Sequence, residues 1–253
     1  MSRAIIEVRA GTGGDEAAIF AGDLARMYQR YAERSGWKFT VLDENRTTLS
    51  GYKTFIAKAS GEGAYENLKQ ESGVHRVQRI PATEKSGRVH TSTASVAVMP
   101  VVEAREVNLN PGDVEVSFFR SSGPGGQNVN KVETAVRIMH KPTGVVVSSQ
   151  SARTQLENRE HAMEILASKI KEAELEKQRT ALGSLRRSQI GTGDRSEKIR
   201  TYNFPQDRIT DHRIGKKFSN IETILNGDLD KVVKAFKKAE AEEAAKASSS
   251  ESA

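Results

Sequence analysis

The sequence predicts a fold of the α+β class, on three observations. Apolar residues at helical spacing between Phe20 and Tyr31 predict an amphipathic helix over residues 15–34. Alternating apolar and polar residues from Val114 to Phe118 predict a half-buried strand. Two more strand-like segments and a long amphipathic segment follow, and this β-β-β-α order is typical of one helix packed on one face of a small sheet.

The amino-terminal part of the chain predicts strands mixed with helices. Strands are predicted at residues 38–42, 53–59, 74–80 and 95–102, with a short helix at 62–70. The mostly polar segment 81–94 lies between the last two strands and is predicted to be a loop.

A second unit is predicted to start near Asn108. Its strands are predicted at 114–118, 135–139 and 145–149, and its helix at 157–181. Residues 183–204 are rich in Arg, Gly and Ser and lack an apolar period, which predicts a linker or mobile loop. A short strand (209–214), two helices (221–225 and 229–236) and a disordered tail (239–253) complete the prediction.

The composition excludes several classes of protein. None of the 253 residues is Cys, which rules out disulfides, thiolate zinc sites and cysteine nucleophiles. No stretch reaches the ~20 apolar residues of a spanning helix, and the first residues carry charges where a signal peptide is apolar. We therefore expect a cytoplasmic protein that does not bind membranes.

The positive charge is concentrated in one part of the chain. Lys and Arg number 39 against 33 Asp and Glu, a net charge of +6. Between Lys177 and Lys217, 11 basic residues stand against four acidic ones. On charge alone, contact with nucleic acid and a solvated, salt-bridged surface are equally good interpretations.

Motifs for a bound metal or nucleotide do not occur. The five His residues have no metal-binding spacing, and Gly11–Asp15 lacks both the Lys-Ser/Thr of a P-loop and the G-x-G-x-x-G of a dinucleotide site. Neither a metal nor another cofactor is predicted.

The most informative stretch is Ser121–Gln127, a Gly- and Ser-rich loop after a predicted strand. Gly125 and Gly126 permit backbone conformations and close approaches that other residues do not. Gln127 does not titrate near neutral pH and so cannot be a general base. Taken alone, Gly-Gly-Gln is more often an ordinary surface loop.

With its surroundings, this stretch resembles the bacterial-type class I peptide chain release factors. The resemblance runs from about Ile5 to Phe236 and includes four ordered motifs. They are Gly11–Ala18, His75–Pro100, Arg120–Lys131 and Gly193–Asp211. It implies that Gly125, Gly126 and Gln127 promote hydrolysis of the peptidyl-tRNA ester in the peptidyl-transferase centre of the large subunit. The backbone N–H of Gln127 would stabilise the reacting oxygen, and a glutamine methyltransferase would modify this residue.

Pro81-Ala82-Thr83 looks like the Pro-x-Thr tripeptide of the release-factor-one type, which reads UAA and UAG. The resemblance implies that Thr83 contacts the first two bases of the stop codon in the small-subunit decoding centre, with Gly13 and Glu16 holding the uracil. His90 would wedge between the second and third bases, and Gln78 and Thr91 would read the third. Taken alone, His90 would more often be structural, and Gly11–Glu16 would be an anion-tolerant helix start.

The resemblance further implies a discontinuous codon-recognition domain enclosing the Gly-Gly-Gln domain. We expect codon recognition at 1–107, the Gly-Gly-Gln domain at 108–189, and a switch loop and C-terminal domain packing on the first at 190–238. A monomer is expected. Family members usually begin with a further helical domain; the sequence leaves open whether its absence is a natural short form or reflects a part of a longer chain.

Two alternatives remain for function. One is a ribosome-rescue peptidyl-tRNA hydrolase that acts without a codon, and the segment Pro81–Thr91 argues against it. The other is a ribosome-binding protein without hydrolytic function, and Gly125–Gln127 argue against that.

Overall fold

The structure, a computed structural model, describes residues 2–81, 84, 86–101, 110–121 and 132–250. The strands in chain order are β1 (Ser2–Ala10), β2 (Lys38–Arg46), β3 (Tyr52–Gly61), β4 (Gly73–Arg79), β5 (His90–Pro100), β6 (Val114–Phe119), β7 (Ala135–His140), β8 (Val145–Ser149), β9 (Lys198–Asn203), β10 (Arg208–Asp211) and β11 (Lys217–Ser219). The helices are α1 (Asp15–Arg34), α2 (Ala64–Leu68), α3 (Gln155–Ile190), α4 (Ile221–Leu225) and α5 (Asp230–Ser250).

The chain divides into two units. One comprises residues 1–102 with 182–253, and the other residues 103–181. The predicted α+β class and the discontinuous first unit are confirmed. The division after residue 181 falls inside α3, which is continuous from Gln155 to Ile190.

The discontinuous unit is built on an eight-stranded sheet of order β11-β10-β9-β4-β5-β1-β3-β2. Helix α1 packs on one face, which we call the helix face, where Phe20, Leu24 and Met27 are fully buried. Strand β9 pairs in parallel with β4, while the other neighbouring strands described in this sheet are antiparallel. This pairing joins the returning segment of chain to the amino-terminal segment.

The inserted unit is a sheet of order β6-β7-β8 covered by α3. Ala162, Leu166 and Ile170 recur every four residues and are buried against Val136 and Ile138. This is the helix-on-sheet layer that the sequence predicts.

Strand β1 is missing from the sequence-based prediction. Ala4, Ile6 and Val8 alternate with polar or less buried residues, and all three are fully buried on the helix face. The strand lies between β3 and β5, with antiparallel register to both.

The prediction of a loop over residues 81–94 is wrong at its end, because β5 begins at His90. The hydroxyl-rich stretch from Thr91 to Thr93 pairs with β4. Polar composition suggested a loop, although Thr is favoured in strands.

The linker predicted at 183–204 also differs from the structure. Helix α3 continues to Ile190, and β9 begins at Lys198, so only a short connection lies between them. Where the sequence predicts a disordered tail, α5 continues to Ser250, since Ala, Glu and Lys are strong helix formers. In the described ranges, no helix combines the length and the apolar character needed to cross a bilayer.

Candidate nucleic-acid interface

Four predicted or neighbouring side chains lie at the joined ends of β4 and β5, two on each face of the sheet. In the antiparallel register, Gln78 lies opposite Thr91, and Arg79 lies opposite His90. Residues opposite each other share a face of the sheet, and successive residues alternate between faces. Arg79 and His90 are therefore on the helix face, and Gln78 and Thr91 are on the reverse face.

The first turn of α1 lies against the same strand ends. Gly13 has φ +136° and is so close to β5 that an added Cβ would stand 2.3 Å from the Ser92 Oγ, a contact that requires glycine. Glu16 follows, and its side chain is 5% exposed. The predicted residues Gly13 and Glu16 are thus brought to the helix face, against Ser92 and Arg79.

Arg79 holds the Glu16 carboxylate in place. Its Nε donates to Glu16 Oε1 at 2.6 Å, its Nη1 donates to Asp23 Oδ2 at 2.7 Å, and its guanidinium lies 5.2 Å from the ring centre of Phe204. Burial alone would lower the pKa of Arg79, but the charges of Asp23 and Glu16 raise it above its usual value. Arg79 is therefore a permanent cation at this position.

One carboxylate oxygen of Glu16 lacks a hydrogen-bond partner in the part of the chain that the structure describes. Its Oε2 is buried and has no hydrogen-bond partner among the described residues. Leaving a buried acceptor unsatisfied typically costs ~1–3 kcal/mol. An unsatisfied buried carboxylate oxygen is uncommon in a folded protein and is a feature that calls for an explanation.

His90 is exposed and oriented by a carboxylate. Its Nε2 lies 2.8 Å from Glu84 Oε2, while its side chain remains 48% exposed. The backbone N–H of Ser86 donates to Glu84 Oε1 at 2.7 Å, and this hydrogen bond, with the His90 contact, lowers the pKa of Glu84. A flat ring is thus held at the surface in a defined orientation.

Gln78 and Thr91 form the pair on the reverse face of the sheet. Gln78 and Thr91 are half-buried, and the side-chain amide of Asn203 donates to Gln78 Oε1 at 3.4 Å. An amide and a hydroxyl side by side offer both donors and acceptors to a polar ligand.

Part of the predicted site lies outside the described residues. Pro81 is buried just after β4, but Ala82 and Thr83 lie outside the described ranges, as do Gly125, Gly126 and Gln127. The segment that contains the three latter residues joins β6 and β7, where Phe119 and Ala135 are register partners.

Only some of the basic side chains in segment 177–217 lie at the surface. Arg186 forms two hydrogen bonds with Glu7 (Nε to Oε2, 2.5 Å; Nη2 to Oε1, 2.7 Å). Burial alone would raise the pKa of Glu7, but the hydrogen bonds from Arg186 and Arg9 lower it below its usual value. Arg186 therefore fastens the end of α3 to β1 within the discontinuous unit.

Arg200 in the same segment is fully buried. Its Nη1 and Nη2 donate to the two oxygens of Glu71 at 2.6 and 2.8 Å, and its Nε donates to Asp211 Oδ2 at 3.2 Å. Arg213 binds the same Asp211. These contacts join β9 and β10 to the turn before β4, so the charges of Arg186, Arg200 and Arg213 are used within the fold.

Three site residues were missed by sequence reasoning: Arg79, Glu84 and Thr93. Thr93 is fully buried in β5 and is bonded to the loop before α1. Arg79 and Glu16 are 63 positions apart, so no local pattern connects them. The available signal was the position of Arg79 directly beside Gln78.

Two domain models match the chain in comparisons with known proteins. A PCRF domain model matches residues 1–96, and an RF-1 domain model matches residues 103–213. The chain therefore belongs to the family of peptide chain release factors.

Curated relatives named peptide chain release factor 1 cover 92–94% of the chain. Those of Acetivibrio thermocellus, Aquifex aeolicus and Caldicellulosiruptor saccharolyticus are 55%, 53% and 56% identical. The chain spans 64–66% of the length of these relatives. A solved structure described as RF2 of Thermus thermophilus is 39% identical with a TM-score of 0.56, over 92% of this chain and 67% of that one.

Proposed function

We propose that this chain is the codon-reading and peptide-releasing part of a translation termination factor for UAA and UAG. It would recognise the stop codon in the small-subunit decoding centre and promote hydrolysis of the peptidyl-tRNA ester in the large subunit. The proposal rests on the family membership and on one structural observation: five predicted codon-reading residues lie together around the ends of β4 and β5.

The two faces of these strand ends suit different bases. On the helix face, the buried Glu16 Oε2 can accept a hydrogen bond from a base. The first turn of α1 already carries Asp15 and Glu16, whose charge suits a helix N-terminus and would repel a phosphate. A hydrogen-bond donor of a base, such as the N3–H of uracil, is the better ligand.

His90 belongs to the same face and offers a surface on which a base can stack. Base–aromatic stacking contributes ~1–3 kcal/mol. With Glu84 fixing the ring, a base stacked on His90 would be separated from a third base, which could reach Gln78 and Thr91 on the reverse face. A rotatable Thr hydroxyl can donate or accept, so it can serve either purine.

Hydrolysis is assigned to Gly125, Gly126 and Gln127 from the sequence. Because Gln127 cannot act as a base, its role is geometric: its backbone N–H stabilises the developing charge, and its side chain positions water. Losing one such donor typically lowers the rate ~10²–10³-fold. Methylation of Gln127 by a glutamine methyltransferase, action as a monomer and a cytoplasmic location belong to the same proposal.

The experiment is release of formyl-methionine from ribosomes programmed with UAA, UAG, UGA or a sense codon. We expect release on UAA and UAG only, with Gln127→Ala slowing release and retaining ribosome binding. Equal release on a sense codon or an empty A site would support a rescue hydrolase instead. Binding without release on any codon would support a ribosome-binding protein.

A further inference from the structure

Two side-chain amides of α3 bind consecutive carbonyls in one short segment of the inserted unit. The segment comprises residues 132–134, directly before β7, and we call it the return arm. The Nε2 of Gln155 donates to the carbonyl of Glu133 at 3.0 Å. The Nδ2 of Asn158 donates to the carbonyl of Thr134 at 2.9 Å. Two neighbouring main-chain acceptors are therefore held by two donors of one helix.

Asn158 is fully buried, and all of its hydrogen-bonding capacity is used. Its Nδ2 also donates to the carbonyl of Ala152 at 3.1 Å, while its Oδ1 accepts the Ala152 N–H at 3.0 Å and the Ser149 hydroxyl at 3.2 Å. A carboxamide has two donor hydrogens and two acceptor positions, so each has a partner. A fully paired buried network rigidifies the structure around it. Through Asn158, the return arm is tied to the end of β8 and to the turn before α3.

The start of α3 is a rigid support for both amides. Thr154 precedes the helix, and its Oγ1 accepts the Glu157 N–H at 3.2 Å. The Glu157 Oε2 in turn accepts the N–H of Thr154 at 3.4 Å and its hydroxyl at 2.9 Å. This reciprocal pairing is a capping box, which fixes the first turn of a helix. Gln155 and Asn158 are three positions apart, so they lie on the same side of this fixed turn.

The side chains of the return arm contribute little to its placement. Val132 and Glu133 are exposed and Thr134 is half-buried, whereas Ala135 and Val136, where β7 begins, are fully buried. Among the described residues, the other hydrogen bond of the arm is internal, from the Thr134 N–H to the Val132 carbonyl at 3.1 Å. The arm is therefore placed by the two amides of α3, and apolar packing begins only with β7.

We propose that Gln155 and Asn158 are positioning residues for peptide release, which hold the return arm so that Gly125–Gln127 reach the ester in one arrangement. The inference rests on the proposed function. Gln127 is six positions before Glu133 in the chain, so the point at which the arm is held limits where Gln127 can reach. A misplacement of about 1 Å by a change far from the chemistry can lower a rate ~10²-fold.

Gln155→Glu tests the exposed member of the pair. The variant keeps the size of the side chain but replaces the donor with an acceptor, so Asn158 alone holds the arm. The kcat of release on UAA should fall about three- to tenfold, the factor that one hydrogen bond supports. KM and the ratio of kcat on UAA to kcat on CAA should stay unchanged, because the codon-reading residues are not altered. The urea midpoint should also stay unchanged, because Gln155 is exposed.

Two further variants at this turn serve as controls. Gln155→Lys retains a hydrogen-bond donor and should restore much of the kcat that Gln155→Glu loses. Leu156→Ala shortens the neighbouring side chain, which is 66% exposed, and should leave kcat unchanged.

Asn158→Asp tests the buried member. It replaces the donors to the Thr134 and Ala152 carbonyls with an acceptor, so kcat should fall about ten- to a hundredfold. Ser149→Ala removes a donor to the other side of the same amide and leaves the bond to Thr134 in place. It should lower kcat much less than Asn158→Asp does.

Release is measured with the chain in excess over ribosomes. Under this condition an inactive fraction of a variant raises the apparent KM and leaves kcat unchanged, so a lower kcat reports on the bound chain. The proposal is overturned if Gln155→Glu keeps the kcat of the unmodified chain, or if Gln155→Glu and Gln155→Lys lose it equally. It is also overturned if Asn158→Asp raises KM with kcat unchanged, because that result indicates a purely structural role.

Hydrogen exchange in the free chain tests the contact without ribosomes. Gln155→Glu should accelerate exchange across residues 132–134 and spare the Ala152 amide, which Asn158 still binds. Unchanged exchange in the return arm would contradict the proposal. If the unmodified chain releases nothing on any codon, the proposed function fails, whereas the exchange result still decides whether the amides of α3 hold the return arm.

Discussion

A network of charged side chains lies at each end of strand β4. The two networks differ in whether all their buried polar atoms have hydrogen-bond partners. Near its start, Arg200 is fully buried and its guanidinium is bound by Glu71 and Asp211. At its far end, Arg79 also binds two carboxylates, but one of these, Glu16, keeps a buried oxygen without a partner in the described ranges. The comparison shows that the first network is satisfied within the fold, whereas the second leaves one carboxylate oxygen unsatisfied by the described residues, as the proposed role of Glu16 in binding a base requires.

We expect the largest loss of stability from a substitution at Arg200. Arg200→Met leaves Glu71 as a buried carboxylate without its main partner and removes one of the two arginines that bind Asp211. Removing one member of a buried pair costs about 3–5 kcal/mol. Urea unfolding should show this loss in the free energy of unfolding.

The control for Arg200 is Arg195→Ala, which removes an exposed arginine from the same basic segment. It should change the free energy of unfolding by less than ~0.5 kcal/mol. Equal losses in the two variants would contradict the distinction between buried and exposed charge.

The same network predicts how stability depends on pH. Burial lowers the pKa of His75 from 6.5 to about 4, and the charge of Arg200 acts in the same direction. Between these values the unfolded chain binds a proton that the folded chain does not, so stability falls as the pH falls from 6.5 to 4. The loss attributable to His75 is about 3 kcal/mol.

Urea unfolding across this range should therefore give a flatter pH profile for His75→Gln. His212→Gln, at an exposed histidine, should leave most of the slope in place. An unchanged slope in His75→Gln would show that other groups produce the acid sensitivity.

Arg79 predicts a smaller loss of stability with a larger loss of recognition. Arg79→Gln removes the charged partner of Glu16 and Asp23, and hydrogen bonds to charged groups contribute about 1.5–3 kcal/mol. The free energy of unfolding should decrease by about 1.5–3 kcal/mol. The KM for release on UAA should rise at least tenfold, because Glu16 is no longer held in position.

The matched variant is Asp23→Asn, which removes charge from the same network without touching Glu16. If Asp23→Asn raises KM as much as Arg79→Gln does, the positioning of Glu16 by Arg79 does not explain the loss of recognition.

His90 predicts the smallest effect on folding. Its side chain is half-exposed, so His90→Ala should change the free energy of unfolding by less than ~0.5 kcal/mol. Binding to UAA-programmed ribosomes should weaken by about 1–3 kcal/mol through lost stacking. His90→Phe keeps a flat ring and should bind more tightly than His90→Ala. If the two variants bound UAA-programmed ribosomes equally well, stacking on residue 90 would be excluded.

The sequence was informative where a property is local. The apolar stripe of α1 and the alternation in β6 were predicted because each is a periodic pattern within one element. The residues of the candidate site were found through the resemblance. The structure then added where five of them lie: three on the two faces of the β4–β5 strand pair, and two at the start of α1, against one of these faces.

What could not be predicted depends on contacts between distant parts of the chain. Arg200 looked like one more charge in a basic segment, because nothing nearby in sequence shows that Glu71 lies against it. The segment Gly191–Gly193 resembles Gly11–Gly13 in composition, and only the fold brings both to Thr93. The strand from His90 to Thr93 was hidden by polar residues whose partners lie on β4.

The central claim is that opposite faces of one sheet end read different bases of the codon, and release kinetics can test it directly. Glu16→Gln and Thr91→Ala should be assayed on UAA, CAA, UAG and UGA. The account predicts that Glu16→Gln lowers discrimination of UAA from CAA with the UAA/UAG ratio unchanged, and that Thr91→Ala changes the UAA/UAG ratio with CAA still rejected. If either variant altered discrimination at both positions equally, the division between the two faces would be wrong.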